Sequence, residues 1–404
     1  MISVKKQILV SLFYFLIASS LGILLRLFPV ANVNPTYKYL VHTHSHIALL
    51  GWVYMALTSL IFYLCIKKDV QKKYSIVFWC TQITILGMLL SFPITGYALF
   101  SIIFSTLFLI SSYWFYLFFR KHNICEKKSY SYKFINASLL FMVFSSIGPW
   151  ALGIIMNTLG NTSHWYKNAI YFYLHFQYNG WFIFCLLGIF FFFLEKKRIN
   201  IDKKTISSFY RYLIISCLLT LFLSFLWMNP PKYILVLSTL GVIYQLIALL
   251  KFHQILITIK SKTSQNLTPF LYQLLRFVYV LFIIKIILQF LSDIPYFSIL
   301  ISQIIDFVIG YLHLIFLGLV SLSLFVFLNY FKLLKLSEFW VKIYLLGFIM
   351  SEVLICYKGF SNWQQLSIFE NYYLTLVLVS SFIPVSVFGI LFQNISRNRN
   401  LIKN

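Results

Sequence analysis

The sequence predicts an all-α integral membrane protein of twelve transmembrane helices. Of its 404 residues, 61% are hydrophobic and only 10% are charged. The apolar residues gather in runs of about 20 or more, the length that crosses a hydrocarbon core of about 30 Å as a helix. Inside hydrocarbon every backbone N–H and C=O needs an internal partner, so such runs read as helices. The connections between them are short. With a mean hydropathy of +0.86, they leave no room for a second, aqueous domain, and residues 1–404 are expected to form one twelve-helix domain.

Charge gives the orientation. The chain carries 33 Lys and Arg against 9 Asp and Glu, a formal net charge of +24. With helices laid on the apolar runs, Arg26, Lys38, Lys167, Lys232 and Lys358 fall on one side and Lys285 falls inside a run. The remaining 27 share the side of both termini. By the positive-inside rule that side is the cytoplasm. A solvated, orienting charge face accounts for the surplus without a nucleic-acid partner; Lys127-Lys128 and Lys196-Lys197-Arg198 suit anionic lipid headgroups. The six cysteines are scattered with no Cys-x-x-Cys, so neither a thiolate zinc site nor covalent c-type haem attachment is signalled.

In chain order, Gln7 to about Phe28 follows Lys5 and Lys6 and has signal-peptide features, including Ala18-Ser19-Ser20, yet its length fits retention as helix one. Helix two, about Leu40 to Ile66, ends at Lys67-Lys68. Helices three (about Ser75 to Ile94) and four (about Ala98 to Phe119) lead to the basic stretch Arg120 to Lys133. Helix five, about Phe134 to Met156, crosses Gly148-Pro149, a candidate kink. Helix six runs from about Asn168 to Leu194, and helix seven from about Ile206 to Met228, ending at Asn229-Pro230-Pro231. Helix eight continues to about Ile259, and helix nine covers about Phe270 to Ser292. Beyond Asp293 and Pro295 the apolar stretch to Ile305 fits either an interfacial segment or an extension of helix ten, about Asp306 to Phe327. Helices eleven (about Val341 to Cys356) and twelve (about Tyr372 to Phe392) complete the series.

The chemistry lies in the histidines. His46 stands five residues before Gly51, His175 five before Gly180, and His313 five before Gly318, on helices two, six and ten. A histidine helix that returns every fourth helix suggests three pseudo-symmetric four-helix arcs around a shared interior. Each histidine lies about four to eight residues past an outer polar anchor, Lys38, Lys167 or Asp306, at a depth of roughly 6 to 12 Å. An imidazole there is costly unless its nitrogens find partners. Five of them, His42, His44, His46, His175 and His313, on three helices favour a metal or haem site over hydrogen bonding alone. His42 and His46 share a face at i, i+4, whereas His44 points elsewhere. His164 and His253 read as a loop residue and a headgroup-level residue.

Tetrahedral zinc would need four donors, and no thiolate or carboxylate stands nearby to complete such a set. A planar iron porphyrin held by imidazoles from two helices suits the sparse donors and aromatic surroundings better. Lys285 and Glu352, charged residues within spans, are candidates for a proton path or a buried ion pair.

These stretches resemble the catalytic subunit of the haem-copper oxidase superfamily, nearest the branch of C-type oxidases and nitric oxide reductases. Leu40 to Gly51 resembles the segment whose histidine binds low-spin haem. His42, with Thr43 and a nine-residue step to Gly51, is the family match, while the internal five-residue repeat selects His46. Asp306 to His313, followed by Gly318, resembles the helix-ten segment that serves both haems; the match puts His313 at the low-spin position and Tyr311 where the high-spin ligand would stand. Tyr171 to Lys196 resembles helix six, with His175 at the copper position. The adjacent histidine pair expected near the end of helix seven is absent, and Pro230-Pro231 occupies its place.

The resemblance therefore implies a retained low-spin b-type haem and an eroded binuclear site that would not be expected to hold copper. It implies electron transfer or diatomic-gas-related redox chemistry in a bacterial cytoplasmic membrane, with quinol or a cytochrome as electron donor and other membrane subunits as partners. Enzymatic reduction of oxygen or nitric oxide is the narrower expectation. The other class consistent with the residues is a non-redox transporter, or a metal- or haem-handling assembly factor, on the same scaffold.

Overall fold

The computed structural model describes residues 2–403, with side chains through residue 396. Among the described residues twelve helices are long and apolar enough to cross a membrane: Val4–Leu27, Tyr37–Cys65, Lys68–Thr95, Leu99–His122, Tyr130–Thr158, His164–Lys196, Lys203–Met228, Lys232–Asn266, Pro269–Ser292, Ile305–Tyr330, Glu338–Trp363 and Tyr372–Ser396. They are called the first to twelfth spans below. Large apolar side chains such as Leu90, Ile94, Leu99 and Phe392 point outward and are more than 60% exposed. A surface of that kind suits a lipid bilayer and would be a liability in water.

Most spans start earlier or end later than the apolar runs. The eighth reaches Asn266 rather than Ile259, and the eleventh covers Glu338–Trp363 rather than Val341 to Cys356. Hydropathy stops at the first lysine, but the helical hydrogen bonds do not, because a long cationic side chain can carry its charge outward while its backbone stays helical. Side-chain caps fix several starts: Ser3 Oγ accepts from Lys6 N at 3.4 Å, and Thr268 Oγ1 accepts from Leu271 N at 3.3 Å. The fifth span is capped from outside its own helix, with Glu195 at the end of the sixth accepting from Tyr130 N at 3.0 Å and Ser131 N at 3.1 Å.

Two expected irregularities take definite form. The fifth span breaks at Ser146, one turn before Pro149, between Tyr130–Ser145 and Ile147–Thr158. Proline lacks the N–H that the carbonyl four residues back would receive, and its ring crowds that carbonyl, which here belongs to Ser145. The stretch after Pro295 is a separate helix, Pro295–Gln303, interrupted by extended backbone at Ile304 (φ −110°, ψ 97°) before the tenth span begins.

Backbone contacts group the chain into two compact units, Met1–Ile124 with Leu324–Asn404, and Cys125–Ser323. In the first unit the first span packs against the second and twelfth, the third against the fourth, and the eleventh against the twelfth. Phe15 stacks on Trp52 at 4.8 Å, with the edges of Phe325 and Tyr344 around it. The ends of the second and fourth spans are tied by Ile124 N donating to Cys65 O at 2.8 Å. In the second unit the fifth span packs on the sixth, the seventh on the eighth, and the ninth on the eighth and tenth. Phe134 sits among Phe184, Phe191 and Phe209 there, with ring centroids 5.0 to 5.8 Å away.

The second, sixth and tenth spans are the most enclosed, with 89%, 89% and 67% of their apolar windows buried against no more than 50% elsewhere. These are the three spans singled out by their histidines.

Asp202 caps the seventh span, accepting from Thr205 Oγ1 at 2.8 Å, Thr205 N at 2.9 Å and Lys204 N at 3.3 Å. The Thr205 hydroxyl and these two amides hold its carboxyl below the usual carboxylate range. A carboxylate whose folded value is depressed stabilises the fold above its unfolded value and loses that contribution as pH falls through the folded one. Asp202→Ala, or acidification of the native chain through that lowered value, should therefore lower the protection of the Lys204 and Thr205 amides relative to their intrinsic exchange at the same pH and leave the middle of the span unchanged. Hydrogen-exchange mass spectrometry reads both.

Candidate functional site

Each of the three histidines stands immediately before π-helical backbone. His46 precedes Ile47–Tyr54, His175 precedes Phe176–Phe182, and His313 precedes Leu314–Val320. π-Helical turns bond residue i to i+5, are rare, and occur mostly at functional sites. The five-residue step from histidine to glycine has the length of one such bond. Two of the glycines also admit a neighbouring helix. A Cβ on Gly51 would lie 2.8 Å from Tyr14 Cβ of the first span, and one on Gly180 would lie 2.6 Å from Phe141 Cβ of the fifth.

In the first unit the three histidines of the second span have different surroundings. His44 turns towards the first span, where its Nδ1 meets Ala18 O at 2.8 Å and its ring lies against Gly22. His46 donates Nδ1–H to the His42 carbonyl at 2.8 Å, which leaves the lone pair on Nε2. That nitrogen accepts from the Tyr97 hydroxyl at 3.2 Å. His42 sets its ring edge-on to Tyr97 at 4.6 Å, and Phe92 lies 4.5 Å from the His46 ring.

Tyr97 belongs to the turn after the third span and was not legible as a site residue. Gly96 brings it there with φ +60°, a conformation that a side chain strains; Tyr39 fills the space where a Cβ would go, 2.4 Å from its Cε1. Arg26, at the end of the first span, has Glu352 of the eleventh and Tyr372 of the twelfth as electrostatic neighbours. Tyr372 donates its hydroxyl to Leu354 O at 3.0 Å.

In the second unit His175 has both ring nitrogens engaged. Nε2 donates to Cys217 O at 2.8 Å, and Nδ1 accepts from Asn179 Nδ2 at 3.2 Å. No ring lone pair is then free for a metal ion. His313 is half-buried at the end of the helix Ile305–His313. Tyr311 presents its ring edge-on to Tyr178 at 5.9 Å, and its buried hydroxyl has no hydrogen-bond partner among the described residues. Lys285, 1% exposed, donates to Gln289 Oε1 at 2.5 Å. His253, outside this group, meets the Tyr279 hydroxyl at 2.9 Å.

Among the described residues no three His, Cys, Asp or Glu side chains gather as a metal-holding group. His46 nevertheless has the disposition of a metal-ligating histidine, with one nitrogen donating to a carbonyl and the tautomer thereby fixed so that the other can coordinate. Tyr97 would have to give up its hydrogen bond for that nitrogen to bind iron. The donor chemistry of His46 fits a single imidazole bond to iron, and that of His175 does not fit copper.

Gly180→Ala should destabilise the fold by about 1 to 3 kcal/mol, because its Cβ would meet Phe141. Gly153→Ala, where nothing lies within 4 Å of the added Cβ, should be neutral or stabilising by up to about 1 kcal/mol. Unfolding titrations of both variants in one detergent compare them directly. In comparisons with known proteins, no family model matches the chain, and no curated protein matches it significantly.

Proposed function

We propose that this chain is a divergent haem-copper-oxidase-like membrane protein that binds low-spin b-type haem. It serves electron transfer or diatomic-gas-related redox chemistry at the outer side of a bacterial cytoplasmic membrane. One observation carries the reading: the three most enclosed spans are the three in which a histidine immediately precedes π-helical backbone. Irregular backbone repeated at the same register beside an imidazole is better explained by a cofactor site than by packing.

His46 and His313 are the residues that would hold the haem iron, each through an imidazole nitrogen. The His46 Nδ1–H bond to His42 O favours it over His42, whose own ring lies on Tyr97. Haem supplies a one-electron couple when bound. The chain's own residues fix the His46 tautomer, line the ring with Phe92, and hold Tyr97 above Nε2. His175, saturated by Cys217 and Asn179, supports an eroded copper position, and Tyr311 stands in place of a second haem ligand.

In this reading the twelve spans form three four-helix arcs, and both termini are cytoplasmic, as the 27 Lys and Arg on their side favour. A quinol or a cytochrome delivers the electrons, with other membrane subunits as partners.

The test is a reduced-minus-oxidised optical spectrum of detergent-purified protein, with iron and copper measured in the same sample. About one haem iron per chain, no copper and a low-spin b-type spectrum are expected. His46→Ala and His313→Ala should abolish that spectrum, while His44→Ala, His175→Ala and His253→Ala keep it. His42→Ala should also keep it, because the His42 carbonyl remains. Loss in His42→Ala with retention in His46→Ala would move the ligand to His42. A colourless, iron-free protein that also fails haem reconstitution would move the function to transport or assembly.

A further inference from the structure

Lys285 lies in the ninth span and donates to Gln289 Oε1, one turn along the same helix. Gln289 Oε1 also accepts from Gln245 Nε2 of the eighth span at 2.9 Å. An ammonium can only donate, so Gln289 presents oxygen to it and Gln245 presents nitrogen to that same oxygen. The Gln245 oxygen is left buried without a hydrogen-bond partner among the described residues.

The same logic runs from the other side. Only an N–H can satisfy the Cys217 carbonyl, so His175 Nε2 carries the hydrogen and Nδ1 accepts. Asn179 must then offer Nδ2, and its Oδ1 is likewise buried and without a partner. Lys285, Asn179 and Gln245 line one cavity, together with Ser216, Cys217 and Thr220, that has about 10 Å³ of room for the centre of a water molecule. The hydroxyls of Ser216 and Thr220 are already donated to backbone carbonyls. What remains is two acceptors without donors and an ammonium with spare N–H groups. One water complements that set, accepting from Lys285 and donating to Asn179 and Gln245.

We propose that this cavity holds one water and that Lys285 and the water together form a reversible proton-binding site inside the second unit. The Nζ–H bond breaks with its electron pair kept on nitrogen, the water takes that proton on its oxygen, and hydroxide or a buffer base of the bulk solvent takes it from the water; uptake reverses each step. Both states keep the same contacts, since the ammonium and the neutral amine each have N–H groups enough to donate to Gln289 Oε1 and to the water, which goes on donating to Asn179 and Gln245. No carboxylate is among the lysine's partners, so the positive charge has only amide dipoles and the water to hold it, and in a low-dielectric interior it is held loosely.

The titratable groups facing Lys285 are His175 from the sixth span and Cys217 from the seventh. The eighth span contributes Gln245. The Leu314–Val320 stretch of the tenth, which packs on the same helix, carries no titratable side chain. His253 and Tyr279 pair with each other near the other end of the helix, and Asp293, past its outer end, is taken up by Ser238 and Thr239.

The test is ¹⁵N NMR of lysine-Nζ-labelled full chain in lipid nanodiscs between about pH 5 and 9, a range in which ordinary lysines stay protonated. One signal should move between the ammonium and amine positions and be absent in Lys285→Met. Magnetisation transfer from water should reach that nitrogen. Gln245→Leu, which keeps the lysine, should shift the midpoint of that signal. Every lysine remaining ammonium throughout, a moving signal that survives in Lys285→Met, or a midpoint unchanged in Gln245→Leu would each overturn the proposal.

Discussion

A hydrocarbon surrounding offers no solvent partner to a backbone amide, and the rest of this structure follows from that constraint. It dictates helices, and it also governs the polar side chains within them. Ser11, Thr81, Ser91 and Ser112 each return a hydroxyl to a carbonyl three or four residues back on their own helix. Such residues ask nothing of a neighbouring span. The groups that cannot close on themselves are the ones that join helices: His44 to Ala18, His175 to Cys217, Gln177 to Ser145 at 2.8 Å, and Gln245 to Gln289. Much of the directional information in a largely apolar protein resides in these few bonds.

His46 and His175 open equivalent π-helical stretches yet differ in chemistry. His46 uses a carbonyl of its own helix, four residues back, and keeps an aromatic hydroxyl on the remaining nitrogen. His175 spends one nitrogen on another span and the other on Asn179. The difference lies in the neighbours and not in the register, so the same step from histidine to glycine sets one imidazole lone pair on an aromatic hydroxyl and the other on an amide of its own helix.

The twelve spans were legible because each carries far more apolar sequence than a soluble helix needs, and their ends were read short because lysines interrupt hydropathy without interrupting a helix. The break at Ser146 was legible from Pro149 to within a turn. The π-helical stretches were not read, because one extra residue in a uniformly apolar run leaves no trace in its periodicity; the repeated step from His46, His175 and His313 to glycine was the signal available. Tyr97 sits in a turn whose geometry depends on the positive φ of Gly96 and on Tyr39. Lys285 stood out as a charge within a span, and Gln289 four residues on could have been paired with it. Gln245, Asn179 and the cavity between them depend on how the helices pack, which no single span encodes.

The His44 bond to Ala18 bears on how the chain reaches the membrane. Spans emerge from the ribosome in order, so the second meets lipid before most of the protein exists. Three imidazoles exposed there alone would oppose insertion. His44 finds its carbonyl on the span already delivered, and His46 carries its own, in the His42 carbonyl one turn back. The first two spans can therefore enter the bilayer as a hairpin whose most demanding polar groups are largely satisfied, without waiting for the helices that later enclose them.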